Sequence, residues 1–259
     1  MINVHSKSKG WLFDDLKQEI AQMGAIASEK PVAGASAYIC IRSSEFHLSP
    51  KPKKTLVQIH DIKNKIPLGA GHVSFVHPYQ YHLSKYEGYY TIDPIGSRHI
   101  SNISCPSRPV IGFFCKEYGG VKGSDMFFNA VKKARLSANF YVLMIGDNLD
   151  HIKKLGKYEQ RPANVNDYRR VSCLVTCSQT PMIPLSIYEG IASGREIIST
   201  PRQWIGDIRN VRTVYDVNDL AGAIVGHTKD MRQYKPHKPF CRTKWAKTQL
   251  QYAKRLCVK

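Results

Sequence analysis

Short apolar runs alternate along this chain with longer polar and amphipathic segments. Near the beginning, Leu12, Leu16 and Ile20 recur at helical spacing and Gly24 follows them, which predicts an amphipathic helix ended by a glycine. Runs rich in β-branched and aromatic residues predict strands at residues 37–41, 56–59, 72–76 and 89–92. The first hundred residues therefore read as a small α/β domain, residues 1–100.

The second half alternates strand and helix patterns more regularly. We predict strands at residues 110–115, 140–145, 171–176 and 196–199, and helices at residues 123–136, at residues 185–193 and from about residues 216–219 onward. Such alternation implies a parallel sheet with helices on both faces, here over residues 110–228. The polar stretch 97–109, with Pro106 and Pro109, predicts an interdomain linker at residues 101–109.

Composition adds few surprises except in charge. The 259 residues are 42% apolar and 22% charged, as in a globular protein, and contain no apolar run long enough to span a membrane. The beginning of the chain lacks the order of a signal peptide, so we expect a cytoplasmic protein, in the host cytoplasm if viral. The seven cysteines are odd in number and predict free thiols, and the spacing of Cys173 and Cys177 does not suggest zinc.

The net charge of +18 favours a phosphate-rich partner, either nucleic acid, an anionic membrane or a nucleotide. Much of it lies in residues 229–259, a tail with ten basic residues and a single acid, Asp230. Within this tail an apolar stripe at helical spacing predicts a helix; the stripe comprises Trp245, Gln249, Tyr252 and Leu256. The basic residues off the stripe are Lys244, Lys247, Lys254 and Arg255. They form either a solvated face or a set of phosphate contacts.

Three loops follow strands of the second domain, where ligands of parallel sheets bind. The first, residues 112–125, begins with Gly112 and contains Lys116 and Lys122, which could clamp a diphosphate, although an ordinary loop is an equal reading. The second contains Gly146. The third leads into a small, apolar helix that carries one acid, Glu189, and a buried acid requires a partner such as the hydroxyls of a ribose.

These segments, in this order, resemble the C-terminal domain of GT-B glycosyltransferases, most closely retaining family 4. The resemblance lies in residues 111–114, 122–130, 142–146 and 184–194. It implies an α/β fold of two Rossmann-like domains with a cleft between them, here with a reduced N-terminal domain and a basic C-terminal helix. In that fold the last helix commonly crosses back to the N-terminal domain.

The resemblance also implies roles for individual residues in binding a nucleotide-sugar. Glu189 would hold the ribose, the amides of Leu185 and Ser186 would face the phosphate and sugar, and Lys122 would neutralise the leaving diphosphate. The rest of the donor-binding set comprises Gly112, Lys116, Gly146 and Pro184.

Two histidines follow predicted strands of the first domain. His60, beside Asp61, and His77 would face a cleft if both strands run parallel, and family members often place a histidine there. We expect His60 with Asp61 to act on an acceptor hydroxyl, with His77 as the second candidate. A structural role for each histidine remains the alternative.

The resemblance implies a hexosyl- or pentosyltransferase that uses a nucleotide-sugar, which we expect to be a UDP-sugar, with retention and without a metal or other cofactor. The compact, basic chain favours a polyanionic acceptor, and its similarity in architecture and in His60-Asp61 to T-even phage α-glucosyltransferases implies hydroxymethylated cytosine in double-stranded DNA. The first alternative is a peripheral-membrane enzyme acting on lipid-linked or polysaccharide acceptors. The second is a protein of this fold that only binds nucleotide or nucleic acid, because Pro181 stands where the family usually has a second glutamate.

Overall fold

The computed structural model describes residues 1–7, 11–60, 66–76, 90–92, 103–117, 119–179, 185–201, 210–235 and 241–258. The chain divides into two compact units. The first unit contains Met1–His99 together with Phe240–Lys259, and the second contains Ile100–Pro239.

In the described part of the first unit, six parallel strands form one sheet. Their order across the sheet is β2-β1-β3-β4-β5-β6. The strands are β1 (Ile2–His5), β2 (Ile26–Ser28), β3 (Ala37–Cys40), β4 (Thr55–Ile59), β5 (His72–Phe75) and β6 (Tyr90–Ile92). After β1 the chain adds β2 on one side of that strand and then β3 to β6 on its other side. The strand order therefore reverses between β1 and β3.

Two helices pack against the sheet of the first unit. Helix α1 (Trp11–Gln22) buries Leu16 and Ile20 completely, and Gly24, with a φ of 105°, turns the chain out of the helix. The last helix of the chain is α5 (Arg242–Val258); it contacts α1, β3 and β4. Burying one large apolar side chain contributes about 1.5–3 kcal/mol, so α5 is held by its apolar stripe rather than by its charges.

In the described part of the second unit, six parallel strands form a second sheet in the order β12-β11-β10-β7-β8-β9. The strands are β7 (Val110–Lys116), β8 (Tyr141–Asp147), β9 (Lys157–Gln160), β10 (Cys173–Thr176), β11 (Glu196–Ser199) and β12 (Val211–Thr213). The helices are α2 (Ser124–Ala134), α3 (Leu185–Ala192) and α4 (Val217–Lys229). Successive residues of β7 point to opposite faces of the sheet and pack in different hydrophobic cores. Phe113 packs toward α2 and α4, and Phe114 packs toward α3.

The strand and helix predictions are confirmed within a few residues, but four strands were not predicted, namely β1, β2, β9 and β12. β2 and β12 have three residues each, and β9 lies in a basic segment in which only Tyr158 is strongly apolar. β2, β9 and β12 lie at sheet edges, where hydrogen bonding to the neighbouring strand rather than the side-chain pattern determines that a strand forms.

Candidate functional site

The strand order of the second unit reverses between β7 and β10, and the loops that follow these two strands meet. The N–H of Gln179, after β10, donates to the carbonyl of Val121, after β7, over 2.7 Å. Ligands of open parallel sheets bind at such a reversal, beyond the carboxyl ends of the strands. This edge is therefore where a ligand of the second unit is expected.

The loop after β7 contains three glycines in the left-handed region. Gly119, Gly120 and Gly123 have φ values of 53°, 82° and 71°. A Cβ on Gly123 would lie 2.3 Å from the carbonyl oxygen of Cys177, so this residue must be glycine for the two loops to approach. A Cβ on Gly119 or Gly120 would meet nothing within 4 Å, which leaves the loop surface open.

A carboxylate of the protein already occupies the N-terminus of α2. The Glu117 side chain, 5% exposed, accepts hydrogen bonds from the N–H groups of Lys122 (3.0 Å) and Ser124 (3.1 Å). The N–H of Ser124 is the first of the helix and that of Lys122 lies just before it, so both point to the place where an anion would bind. A diphosphate would have to displace Glu117 to use them, so a clamp built on this helix N-terminus is disfavoured. The sequence pattern does not predict this contact, because Glu117 lies outside the helix and reaches its N-terminus only through the fold of the loop.

The two lysines of this loop differ in their surroundings. Lys116 is paired with Asp147, with Nζ and Oδ2 3.1 Å apart, and this hydrogen bond holds the pKa of Asp147 below its usual value. Lys122 contributes its backbone N–H to Glu117, and its side chain is half-buried. The charge of Lys116 is therefore already balanced by the carboxylate of Asp147.

A pocket of about 560 Å³ lies beside this loop. Its lining residues are Glu117, Gly119, Gly120, Ser124, Asp125, Asn148 and His151. Asn148 has a φ of 60° and donates from Nδ2 to the carbonyl of Glu117 (3.1 Å), and His151 Nε2 lies 2.9 Å from Ser124 Oγ. Glu117, Asn148 and His151 were not predicted from the sequence as site residues. The signal available for Asn148 was its position directly after a buried strand.

Two glycines predicted to bind the donor have packing roles in the structure. A Cβ on Gly146 would lie 1.6 Å from the carbonyl oxygen of Cys115 on the neighbouring strand. A Cβ on Gly112, inside β7, would lie 2.8 Å from Val171 Cγ1. Both glycines are explained by the close approach of neighbouring chain.

Glu189 lies on α3 and is 4% exposed. Its Oε2 accepts a hydrogen bond of 2.7 Å from the hydroxyl of Tyr168, itself 1% exposed. The partner that a buried acid requires is therefore supplied, for this oxygen, by the protein. At the start of the same helix Ser186 is half-buried and Leu185 is the first helical residue, whereas Pro184 and Pro181 lie outside the described residues.

In the first unit, His60 directly follows β4, which runs parallel to β5 as predicted. The ring is buried: Nε2 lies 3.1 Å from Gln58 Oε1, and the ring meets Phe13 edge-on at 5.2 Å. Burial, and to a smaller extent the charge of Arg42, lowers the pKa of His60 to about 3, against a hydrogen bond with the backbone of Ile41. A neutral, internally bonded imidazole is poorly suited to accept a proton from an acceptor. Asp61 and His77 lie outside the described residues.

Four of the five basic residues of α5 form an exposed ridge on the first unit, and the fifth, Arg242, is buried. Lys244, Lys247, Lys254 and Arg255 are exposed, whereas Trp245 on the opposite side is 4% exposed. From the first to the last of these four residues the helix rises about 16 Å. We call these four residues the α5 ridge. The structure leaves their charges accessible to an anionic partner.

Within the described residues, no helix is both long and apolar enough to cross a membrane. Groups of three or more metal-binding side chains are likewise absent from that part of the chain.

No protein-family model matches the chain, and no curated protein matches it by sequence. Solved structures do. HepE of Anabaena, in a complex with UDP-glucose, superposes with a TM-score of 0.67 at 11% identity, over 98% of this chain and 94% of that chain. The lipopolysaccharide outer core galactosyltransferase WaaB gives 0.61 at 10% identity, over 99% and 98%.

TarM gives a TM-score of 0.61 at 14% identity, but this chain covers only 52% of it, so it spans about half the length of that relative. At such identities the likeness concerns the fold. Two parallel six-stranded sheets with helices, matched along nearly the whole of two glycosyltransferase structures, are the GT-B fold predicted from the sequence.

Proposed function

We propose that this chain is a glycosyltransferase that takes its sugar from a nucleotide-sugar, most simply a UDP-sugar. The observation that carries the proposal is the full-length match to HepE, whose structure holds UDP-glucose. Glu189, buried on α3 next to the reversal of strand order, supports it from within this chain.

In the proposed reaction the bond between the anomeric carbon and the diphosphate breaks, the acceptor hydroxyl oxygen bonds to that carbon with retention, and the hydroxyl proton is released. Glu189 would accept hydrogen bonds from the ribose. Because Glu117 fills the N-terminus of α2, we place the diphosphate at the amides of Leu185 and Ser186, with the side chain of Lys122 neutralising the charge that develops. No metal or other cofactor enters this scheme.

Isothermal titration with UDP and UDP-glucose tests the donor site. Glu189→Gln should weaken UDP binding by about 1.5–3 kcal/mol, roughly 10- to 150-fold, because an amide replaces only part of a carboxylate that accepts two hydroxyls. Glu196→Gln is the matched control: Glu196 is also buried in the second unit, but it opens β11 at the amino-terminal edge of the sheet. UDP binding that is absent, or insensitive to Glu189, would contradict the proposal.

For the acceptor we propose hydroxymethylated cytosine in duplex DNA. The α5 ridge supports a polyanionic acceptor because its four charges are exposed along one helix. An enzyme of this kind must hold the phosphates of the duplex and extract the base.

Binding of duplex DNA across a series of salt concentrations tests this acceptor. Replacing Lys244, Lys247, Lys254 and Arg255 with Gln should flatten the log–log salt slope by about 0.9 per lost contact, up to about 3.6. A control removes equal charge from exposed lysines of the second unit, Lys132, Lys133, Lys153 and Lys154. Wild-type affinity and slope in the α5 ridge variant would reduce the ridge to a solvated face.

A lipid-linked or polysaccharide acceptor is the second candidate, and one comparison favours it. WaaB, which matches along its whole length, is a lipopolysaccharide galactosyltransferase. Under this alternative the α5 ridge variant would lose binding to anionic vesicles instead of DNA. A chain that binds UDP but neither hydrolyses nor transfers any sugar would be the degenerate binder.

His60 is buried and bonded to Gln58, and these surroundings favour a structural role over a role on the acceptor hydroxyl. We therefore propose His77 as the histidine that acts on the acceptor hydroxyl. His77→Ala should then reduce transfer at least tenfold at unchanged UDP affinity. A loss of transfer confined to His60→Ala would return that role to His60.

A further inference from the structure

The second unit contains a buried chain of hydrogen bonds that begins where the polypeptide enters it. Arg195, completely buried, donates from Nη2 to the carbonyl of Ser104 (2.6 Å) and from Nε to the carbonyl of Tyr168 (2.8 Å). A longer bond of 3.4 Å joins Nη2 to the carbonyl of Ile103. The guanidinium thus ties the entering segment, residues 103–104, to the short helix that contains Tyr168.

Arg195 is an expensive residue to bury, because among the described residues it has no carboxylate partner. Desolvation lowers the pKa of its guanidinium, opposed by the nearby side chain of Cys105. A leucine or methionine would fill the same space at a lower cost, so the bonds it makes to three carbonyls are its distinguishing contribution.

Tyr168 carries the chain of bonds onward to α3. Its ring meets Phe114 edge-on at 5.4 Å, its carbonyl is held by Arg195, and its hydroxyl donates to Glu189 Oε2 over 2.7 Å. The helix turn it occupies, Val165–Arg169, begins at a capping box closed by Asn164 and Asp167. Contacts of its ring, its carbonyl and its hydroxyl therefore fix the position of Tyr168 before any ligand binds.

We propose that Tyr168 and Arg195 are positioning residues that orient the Glu189 carboxylate for the nucleotide and couple its occupancy to the docking of the segment 103–105. The inference rests on the proposed function, since it assigns Glu189 to the donor. Coupling is reciprocal: if docking of the segment favours nucleotide binding, then nucleotide must favour docking of the segment.

Tyr168→Phe removes one hydroxyl and keeps the ring. UDP should bind about tenfold more weakly and the KM for UDP-glucose hydrolysis should rise by the same factor, whereas kcat should change little, because the carboxylate is misoriented but present. Tyr158→Phe is the matched control, because Tyr158 packs against the core on the opposite face of the same sheet. A merely structural Tyr168 hydroxyl would lower the thermal stability of Tyr168→Phe without moving KM.

Cys105 supplies a readout of docking that does not depend on activity. This residue is partly exposed and directly follows Ser104, whose carbonyl accepts from Arg195, so alkylation of its thiol followed by peptide mass spectrometry reports how often the segment is released. UDP should slow the alkylation of Cys105 in the wild type and should protect it less in Tyr168→Phe and in Arg195→Lys. The exposed Cys241 of the first unit is the internal control.

The outcomes separate this inference from the proposed function. A wild type that binds no UDP overturns the proposed function and the inference with it. UDP binding that falls in Glu189→Gln but is unchanged in Tyr168→Phe overturns the inference alone. Equal protection of Cys105 by UDP in the wild type and in both variants would likewise rule out the coupling.

Discussion

The two units build the same kind of sheet from six parallel strands but hide their polar groups in different ways. The first unit buries His5 and His60, and neither has a carboxylate hydrogen-bond partner among the described residues. His5 has no hydrogen-bond partner on either ring nitrogen, and His60 bonds to an amide, Gln58. The second unit pairs its buried histidine: His227 lies between Ser172 Oγ (2.9 Å) and Glu196 Oε2 (2.8 Å).

Charged networks of the second unit follow the same rule. Arg161 and Arg170 both bind the carboxylates of Glu159 and Asp167, and these contacts lower the pKa of Glu159. Two sheets with one architecture can therefore respond to acid at different pH values. The difference lies in whether burial or pairing sets the protonation state.

The largest effect that would separate the units is expected from Gly146→Ala. The added Cβ would collide with the carbonyl of Cys115 at 1.6 Å, which should destabilise the second unit by more than about 4 kcal/mol. Hydrogen exchange of each unit's strands measures this. Gly120→Ala is the control: its φ of 82° is strained, but nothing lies within 4 Å of its Cβ, so about 1–2 kcal/mol is expected. Equal loss of protection in the first unit would mean that the two units unfold together.

Acid, in contrast, should destabilise the first unit more than the second. Burial lowers the pKa of His5 to about 4 and that of His60 to about 3, from 6.5 when exposed. The unfolded chain therefore binds more protons between these values, and the first unit loses stability as the pH falls below 6.5. At pH 5 each histidine should cost about 2 kcal/mol.

The carboxylates with lowered pKa in the second unit act lower on the pH scale. Glu159, Asp147 and Asp167 contribute stability that is present above their unfolded pKa values near 4 and is lost below them. Hydrogen exchange at pH 7 and pH 5, corrected for intrinsic rates, should show the first unit weakening more. His5→Phe and His60→Phe should remove that sensitivity, and an unchanged pH response would contradict the role of the buried histidines.

A smaller effect tests how α5 is joined to the first unit. Gln58 Nε2 donates to Gln249 Oε1 over 3.2 Å, and both residues are completely buried. Gln249→Leu should cost about 1–3 kcal/mol because Gln58 loses its partner, and the double variant with Gln58→Leu should recover part of it. Urea denaturation of both single variants and the double variant measures the coupling. Additive losses would show that the pair contributes nothing.

The pattern of residues along the chain predicted most of the regular elements and the α/β class of the fold. Apolar period and glycine position predicted α1, eight of the twelve strands and the amphipathic face of α5, because side chains facing a core must be apolar at the period of their own backbone. It also singled out Glu189, because one acid on an apolar helix is conspicuous without any structure.

The partners of the buried polar groups could be seen only in the folded protein. Glu117 closes the N-terminus of α2 and Tyr168 holds Glu189, although 21 residues separate the members of the second pair. The same holds for Gly146, whose need to be glycine comes from the neighbouring strand. Periodicity reports which face of an element is buried, whereas a hydrogen bond or a steric contact between distant residues depends on strand order and register, which local pattern does not encode.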